Sequence, residues 1–154
     1  SQKYSVRKLD ENDVDIIYDM SCKNDIFYQY HPPFVTRESI LDDMGALPPG
    51  KGYDDKFYVG FFENDSLVGL MDLILDYPEK EISFIGLFMT DTRYQNRGVG
   101  SGIISDVILC LKSSGYKEIR LGVDKGNPQS YSFWTKNKFT PIREDTYILM
   151  GLRI

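Results

Sequence analysis

The sequence predicts a single domain of mixed α/β class over residues 1–154, with a largely antiparallel sheet and helices against it. Three observations carry this. Three β-patterned stretches, 57–62, 67–75 and 81–89, are separated only by tight polar turns, the pattern of an antiparallel meander. The third stretch runs into a glycine-rich turn and then a helical repeat, which presents backbone N–H groups at a helix start. The length is enough for one hydrophobic core, and an aromatic content of 14% argues against disorder.

Taken in order, Tyr4 to Leu9 alternates as a first strand. Asp10 can cap a helix whose apolar face is Val14, Ile17 and Tyr18 and which ends near Cys22-Lys23-Asn24. The aromatic stretch Phe27 to Phe34 cannot be regular helix through Pro32 and Pro33. Thr36 can cap a second helix with Ile40, Leu41, Met44 and Leu47 on one face, stopped by Pro48-Pro49-Gly50. The meander follows, with turns at Glu63-Asn64-Asp65-Ser66 and Asp76-Tyr77-Pro78-Glu79-Lys80. After the glycine-rich turn, Val99, Ile103, Ile104, Val107, Ile108 and Leu111 recur at three- and four-residue steps, and Ser113-Ser114-Gly115 ends the helix. Glu118 to Asp124 alternates as a strand. Asn127-Pro128 starts a helix to about Asn137, and 139–142 with 146–152 form a closing hairpin turned at Glu144-Asp145.

Composition removes several classes of function. No apolar run approaches the ~20 residues of a membrane span, and no N-terminal signal pattern is visible. Cys22 and Cys110, the latter placed beside core positions, read as free thiols of a cytoplasmic protein. One histidine and no cysteine cluster argue against a metal site. The acidic balance and the lack of a basic-aromatic stripe argue against nucleic acid. The net charge of −5 is unevenly spread. Residues 1–92 carry 8 basic and 18 acidic side chains, whereas residues 93–138 carry 8 and 3. The basic segment holds the glycine-rich turn, so a phosphate-rich ligand fits one half and a cationic one the other. Solvated faces decorated with charge are the plainer alternative.

The turn itself, Gln95-Asn96-Arg97-Gly98-Val99-Gly100, is neither a Walker loop, since no Lys-Ser or Lys-Thr follows, nor a dinucleotide fingerprint. It matches Gln/Arg-x-x-Gly-x-Gly/Ala and so resembles the pyrophosphate loop of the GNAT superfamily of acyl-CoA-dependent N-acyltransferases. Asn127, followed by Phe133-Trp134-x-Lys136-x-x-Phe139, is similar to that family's second segment, with Ser130, Trp134 and Lys138 in place of the usual Ala, Tyr and Gly. The resemblance implies a mixed, mostly antiparallel, V-shaped sheet of about seven strands flanked by about four helices. It implies acetyl-CoA as cosubstrate and transfer of its acetyl group to a primary amine of a small cationic molecule or a peptide. A catalytically weak acyl-CoA-binding sensor is the alternative that Trp134 permits. A monomer and a homodimer are both compatible with the sequence.

By the same resemblance, Gln95, Asn96, Arg97, Gly98, Val99, Gly100 and Ser101 hold the pyrophosphate, with Arg93, Arg97 and Lys136 as cations for phosphate. Phe88, Met89 and Thr90 offer backbone to the pantetheine arm, and Asn127 and Trp134 line its channel, with core packing as the other reading of Trp134. The Met89 N–H is the expected oxyanion donor. Tyr28, Tyr30 and His31 belong to the turn that overhangs the acceptor, with packing on the sheet as their other reading. Several of Asp42, Asp43, Asp54, Asp55 and Asp76 would rim the acceptor side. An alkylammonium must lose a proton before it attacks, and the leaving thiolate must gain or share one. An indole cannot serve as a proton-transfer acid, so Tyr131, one turn before Trp134, is the candidate acid, with packing as its alternative. Glu81, Asp72 and His31 are the candidate bases, and a base acting through water is also open.

Overall fold

The meander read from the turns is present in the computed structural model, which describes residues 3–154. Strands β1 (Ser5–Lys8), β2 (Lys56–Glu63), β3 (Ser66–Ile74), β4 (Ile82–Thr90), β5 (Glu118–Asp124), β6 (Thr140–Glu144) and β7 (Tyr147–Arg153) form one sheet in the order β1-β2-β3-β4-β5-β7-β6. Every neighbouring pair is antiparallel except β4 and β5. The helices are α1 (Val14–Ser21), α2 (Asp25–Tyr30), α3 (Arg37–Gly45), α4 (Val99–Ser113) and α5 (Pro128–Lys136). No helix among the described residues is long and apolar enough to cross a membrane.

Side-chain alternation divides the core into two layers, one on each face of the sheet. Ile17, Met20 and Ile40 pack on Tyr58, Phe62, Leu70 and Met89. Ile103, Ile104, Leu111, Trp134 and Phe139 pack on Val68, Met71, Ile85, Leu121 and Met150. The helix starts follow the expected caps. Asp10 accepts from Asn12 N–H in a capping box with Asp13, and Thr36 does the same with Ser39. Asp10 caps a short 3-10 turn, Glu11–Asp13, that leads into α1.

As expected, no helix runs through Pro32 and Pro33; the residues before them, Asp25–Tyr30, form α2, a six-residue helix with no side-chain cap, seated by Phe27 and Tyr28 against the α1–α3 core. Two sequence expectations differ. Leu41 is exposed, so Ile40 is the buried residue of α3. Cys110 lies on the solvent side of α4 rather than beside the core.

What positions the site is the seam between β4 and β5. They pair in parallel only from Ile82–Glu118 to Ile85–Leu121. There β4 bulges: Asp72 of β3 faces Leu87 and Leu73 faces Ile85, which leaves Gly86 as the extra residue. A bulge bends and twists its strand, and beyond it β4 and β5 no longer pair. This is the V-shaped opening that the resemblance implied.

Candidate active site

Two cavities meet at this opening. The first, of about 460 Å³, runs from β4 past the glycine-rich turn to α5 and is lined by Phe88, Met89, Thr90, Gln95, Asn96, Gly98, Gly100, Ser101, Asn127 and Trp134 among others. The second, of about 330 Å³, lies between β4 and β5 and is walled by Phe84, Leu87, Leu121 and Tyr147, with His31 and Asp124 also on its lining. Phe27, Phe88, Asn127, Ser130 and Trp134 line both.

The turn leaves backbone amides free at the start of α4. Asn96 and Gly98 adopt positive φ, 62° and 77°, and Gly98 is the N-cap of α4. The first helical bond is Gly102 N–H to Gly98 C=O, so the amides of Val99, Gly100 and Ser101 have no helical acceptor. A Cβ on Gly98 would meet nothing within 4 Å, so that glycine serves the backbone conformation. A Cβ on Gly100 would approach Phe133 Cε1 to 3.0 Å, so this glycine serves packing between α4 and α5. Arg97 is exposed and, with Lys136 on the cleft lining, has no carboxylate partner among the described residues. Arg93 is committed elsewhere, its Nε and Nη2 each 3.1 Å from Asp91.

Strand pairing decides which β4 amides face the opening. Asp91 N–H donates to Val68 C=O at 2.9 Å. Antiparallel ladders alternate, and the register pairs Leu70 with Met89 two residues on. The Met89 amide is therefore bound to Leu70 of β3. Phe88 and Thr90 turn theirs the other way, where the Thr90 carbonyl accepts from Asn24 Nδ2 and Gln95 Nε2, each at 3.4 Å. The Met89 amide, expected to face the opening, thus faces β3, and the amides on the open side are those of Phe88 and Thr90.

The candidate acid and bases are spread apart. Tyr131 sits on the other side of α5, where it lines a separate depression with Pro141, Ile142 and Ile148. Trp134 is buried between Phe88, Phe133 and Phe139, an aromatic wall shared by both cavities. Glu81 is exposed at the far end of β4, its N–H held by Asp76. Asp72 lies behind the bulge: a Cβ on Gly86 would sit 3.4 Å from its Oδ2. That oxygen binds Lys56 Nζ at 2.9 Å, and Oδ1 has no partner. Burial pushes the Asp72 carboxyl above its ordinary pKa, and the Lys56 ammonium pulls it partly back. Lys56, itself buried, also donates to Ala46 C=O at 2.8 Å.

Tyr28 is half-buried in the α1–α3 core, and burial raises its pKa to about 12. Tyr30 is half-buried and lines neither cavity. His31 lines the second. None of Asp42, Asp43, Asp54, Asp55 and Asp76 does. Asp55 holds Gly52 N–H and Lys51, and Asp76 holds Glu81 N–H and the Tyr116 hydroxyl. The carboxylate on that lining is Asp124, which residue types gave no reason to select. Its partner His31 is 93 positions away, at 3.2 Å.

The chain matches the family model described as acetyltransferase (GNAT) family over residues 20–139. Among curated proteins none matches it. Solved structures share its fold. An acetyltransferase from Thermus thermophilus superimposes with a TM-score of 0.86 at 17% identity, over 99% of this chain and 98% of that one. The paia N-acetyltransferase from Thermoplasma acidophilum, in complex with coenzyme A, gives 0.74 at 18% identity over 99% and 100%. The ribosomal-protein-S18-alanine N-acetyltransferase from Escherichia coli gives 0.70 at 15% identity over 98% and 94%.

Proposed function

The chain belongs to the acetyltransferase (GNAT) family, and from that premise we propose that it moves an acetyl group from acetyl-CoA to a primary amine of a small cationic molecule or a peptide. The observation that carries this is the joining of two cavities at an unpaired strand edge. In this reading the first cavity takes the donor. The Val99, Gly100 and Ser101 amides receive the pyrophosphate, with Arg97 and Lys136 adding charge. Phe88 and Thr90 offer their backbone to the pantetheine arm and the thioester carbonyl, which needs a donor as its oxygen gains charge. The second cavity takes the amine, so acceptor and donor meet beside Phe88 and Trp134. The Escherichia coli neighbour is named for an alanine of a ribosomal protein, which makes a peptide amine a natural member of the test panel.

The experiment is thiol release from acetyl-CoA in the presence of spermidine, 2-phenylethylamine and an alanine-initiated peptide, with product masses checked for one acetyl group. Transfer to at least one amine is expected. Tight binding of acetyl-CoA without turnover on any would replace this reading with the acyl-CoA sensor, which the placement of Tyr131 away from the cleft favours.

A further inference from the structure

We propose that His31 is the general base of the transfer and that Asp124 is the positioning residue that fixes its tautomer. The proposal rests on the acetyltransfer reading above and assigns the proton step within it. His31 Nδ1 lies 3.2 Å from both carboxylate oxygens of Asp124. An ionised carboxylate only accepts hydrogen bonds, so in the neutral ring Nδ1 carries the hydrogen and Nε2 carries the lone pair. Nε2 has no hydrogen-bond partner among the described residues. The ring belongs to the residue after α2 and the carboxylate to the last residue of β5, so the pair joins two elements on the lining of the second cavity.

The pair also lies close to where the cavities join. The His31 ring is 5.4 Å, centroid to centroid, from Phe27, which lines both. Asp124 accepts through its backbone from Asn127 N–H, and Asn127 lines both too. A stabilising role accounts poorly for it. His31's side chain is 60% exposed and Asp124's 35%, and exposed ion pairs contribute little to folding. The chain's one histidine therefore sits where an ammonium would enter, held by one nitrogen and open at the other.

The step balances without any further reactant. Nε2 takes one proton from the ammonium and becomes imidazolium, facing Asp124. The freed nitrogen pair forms the C–N bond to the thioester carbonyl carbon while the C–S bond breaks. The sulfur leaves with that bonding pair and receives the second nitrogen proton, giving free thiol and amide. His31 returns its proton to water.

Three measurements test this. With acetyl-CoA and the amine panel, His31→Ala should lower kcat by roughly 100-fold or more, leave calorimetric acetyl-CoA affinity unchanged, and recover part of the rate when free imidazole is added. In ¹⁵N-labelled wild type the neutral ring should be the Nδ1–H tautomer, and Asp124→Asn should shift it toward Nε2–H while lowering kcat more than it alters KM. An undiminished kcat in His31→Ala, no rescue by imidazole, or an Nε2–H ring in wild type would each overturn the assignment. Failure of wild type itself to acetylate any of the three amines would overturn the acetyltransfer reading and the base with it. A rate that survives His31→Ala overturns only the base.

Discussion

The two walls of the β4–β5 opening are made of different material. On the side proposed for the donor the groups facing the opening are backbone amides: three at the start of α4 and two on β4, given by helix geometry and strand parity. On the side proposed for the acceptor they are side chains, His31 and Asp124 on the cavity lining, with the buried Lys56–Asp72 pair behind the bulge and off that lining. Backbone sites tolerate a change of side chain provided it neither clashes nor carries the wrong charge. The buried Lys56–Asp72 pair does not, because removing one partner leaves the other an uncompensated buried charge. The contrast teaches where substitutions should separate binding, chemistry and folding.

The largest expected effect is on the donor wall. Ser101→Asp places a carboxylate on the third residue of α4, where the helix dipole welcomes it, so the fold should melt unchanged or slightly higher. The same charge opposes the pyrophosphate at short range, and acetyl-CoA affinity should fall by at least about 100-fold. Calorimetric titration reads this, and full affinity in the folded variant would place the phosphates elsewhere. This replaces the more obvious change at Gly100, where a side chain would disturb Phe133 as well as the ligand.

Behind the bulge, Asp72→Asn should do the reverse. It strands the buried Lys56 ammonium, so unfolding free energy should drop by roughly 3–5 kcal/mol in a denaturant titration, with acetyl-CoA affinity kept. Replacing both partners, Lys56→Met with Asp72→Leu, should recover most of that loss. If the single change costs kcat and no stability, Asp72 is chemistry rather than scaffold.

Gly122→Val probes the cavity wall. A Cβ there would approach Tyr147 Cδ2 to 2.8 Å, and both residues line the second cavity. The displaced ring should raise KM for the amine by about 10-fold, with the donor's affinity unchanged. Equal losses for donor and acceptor would mean that the two cavities do not divide the substrates.

The smallest effect lies far from either wall. Arg7 bonds both Asp13 oxygens, at 3.0 and 2.8 Å, and this holds the Asp13 carboxyl below its ordinary value of 3.8. A depressed carboxyl gives stability that is present above the ordinary value and lost as pH falls through the depressed one. Arg7→Gln should therefore lower Tm by no more than about 4 °C at pH 7, and the gap to wild type should close below pH 3.8. A gap that persists in acid would assign the loss to packing of Arg7 on Phe62, 4.6 Å from its ring centroid.

Legibility followed the range of the interactions. The turn at Asn96–Gly100, the meander and the Asn127 cap are local, so glycine spacing and turn chemistry expose them. Whether Met89 or its neighbours face the opening depends on the parity of pairing with β3, which side-chain pattern does not encode. Tyr131 and Trp134 share a helix, and only the packed position of that helix decides which one reaches the cleft. The His31–Asp124 pair joins two elements that the sheet brings together across 93 positions. The acidic excess of residues 1–92 hid a structural use, since Asp13, Asp55, Asp72, Asp76 and Asp91 each hold a cation or a backbone N–H.

The parallel seam of β4 and β5 is four residue pairs long, and that brevity writes a clock into the strand. Past Ile85 the amides of β4 alternate between a β3 acceptor and open water. In the ligand-free chain, hydrogen exchange should run slow at Met89 and fast at Phe88 and Thr90, a period-two record along a single strand. A pantetheine arm lying in the opening would stop the fast positions first. Because it binds only the folded chain, it would also raise the free energy of every opening that separates the two halves of the sheet, in proportion to the logarithm of its concentration.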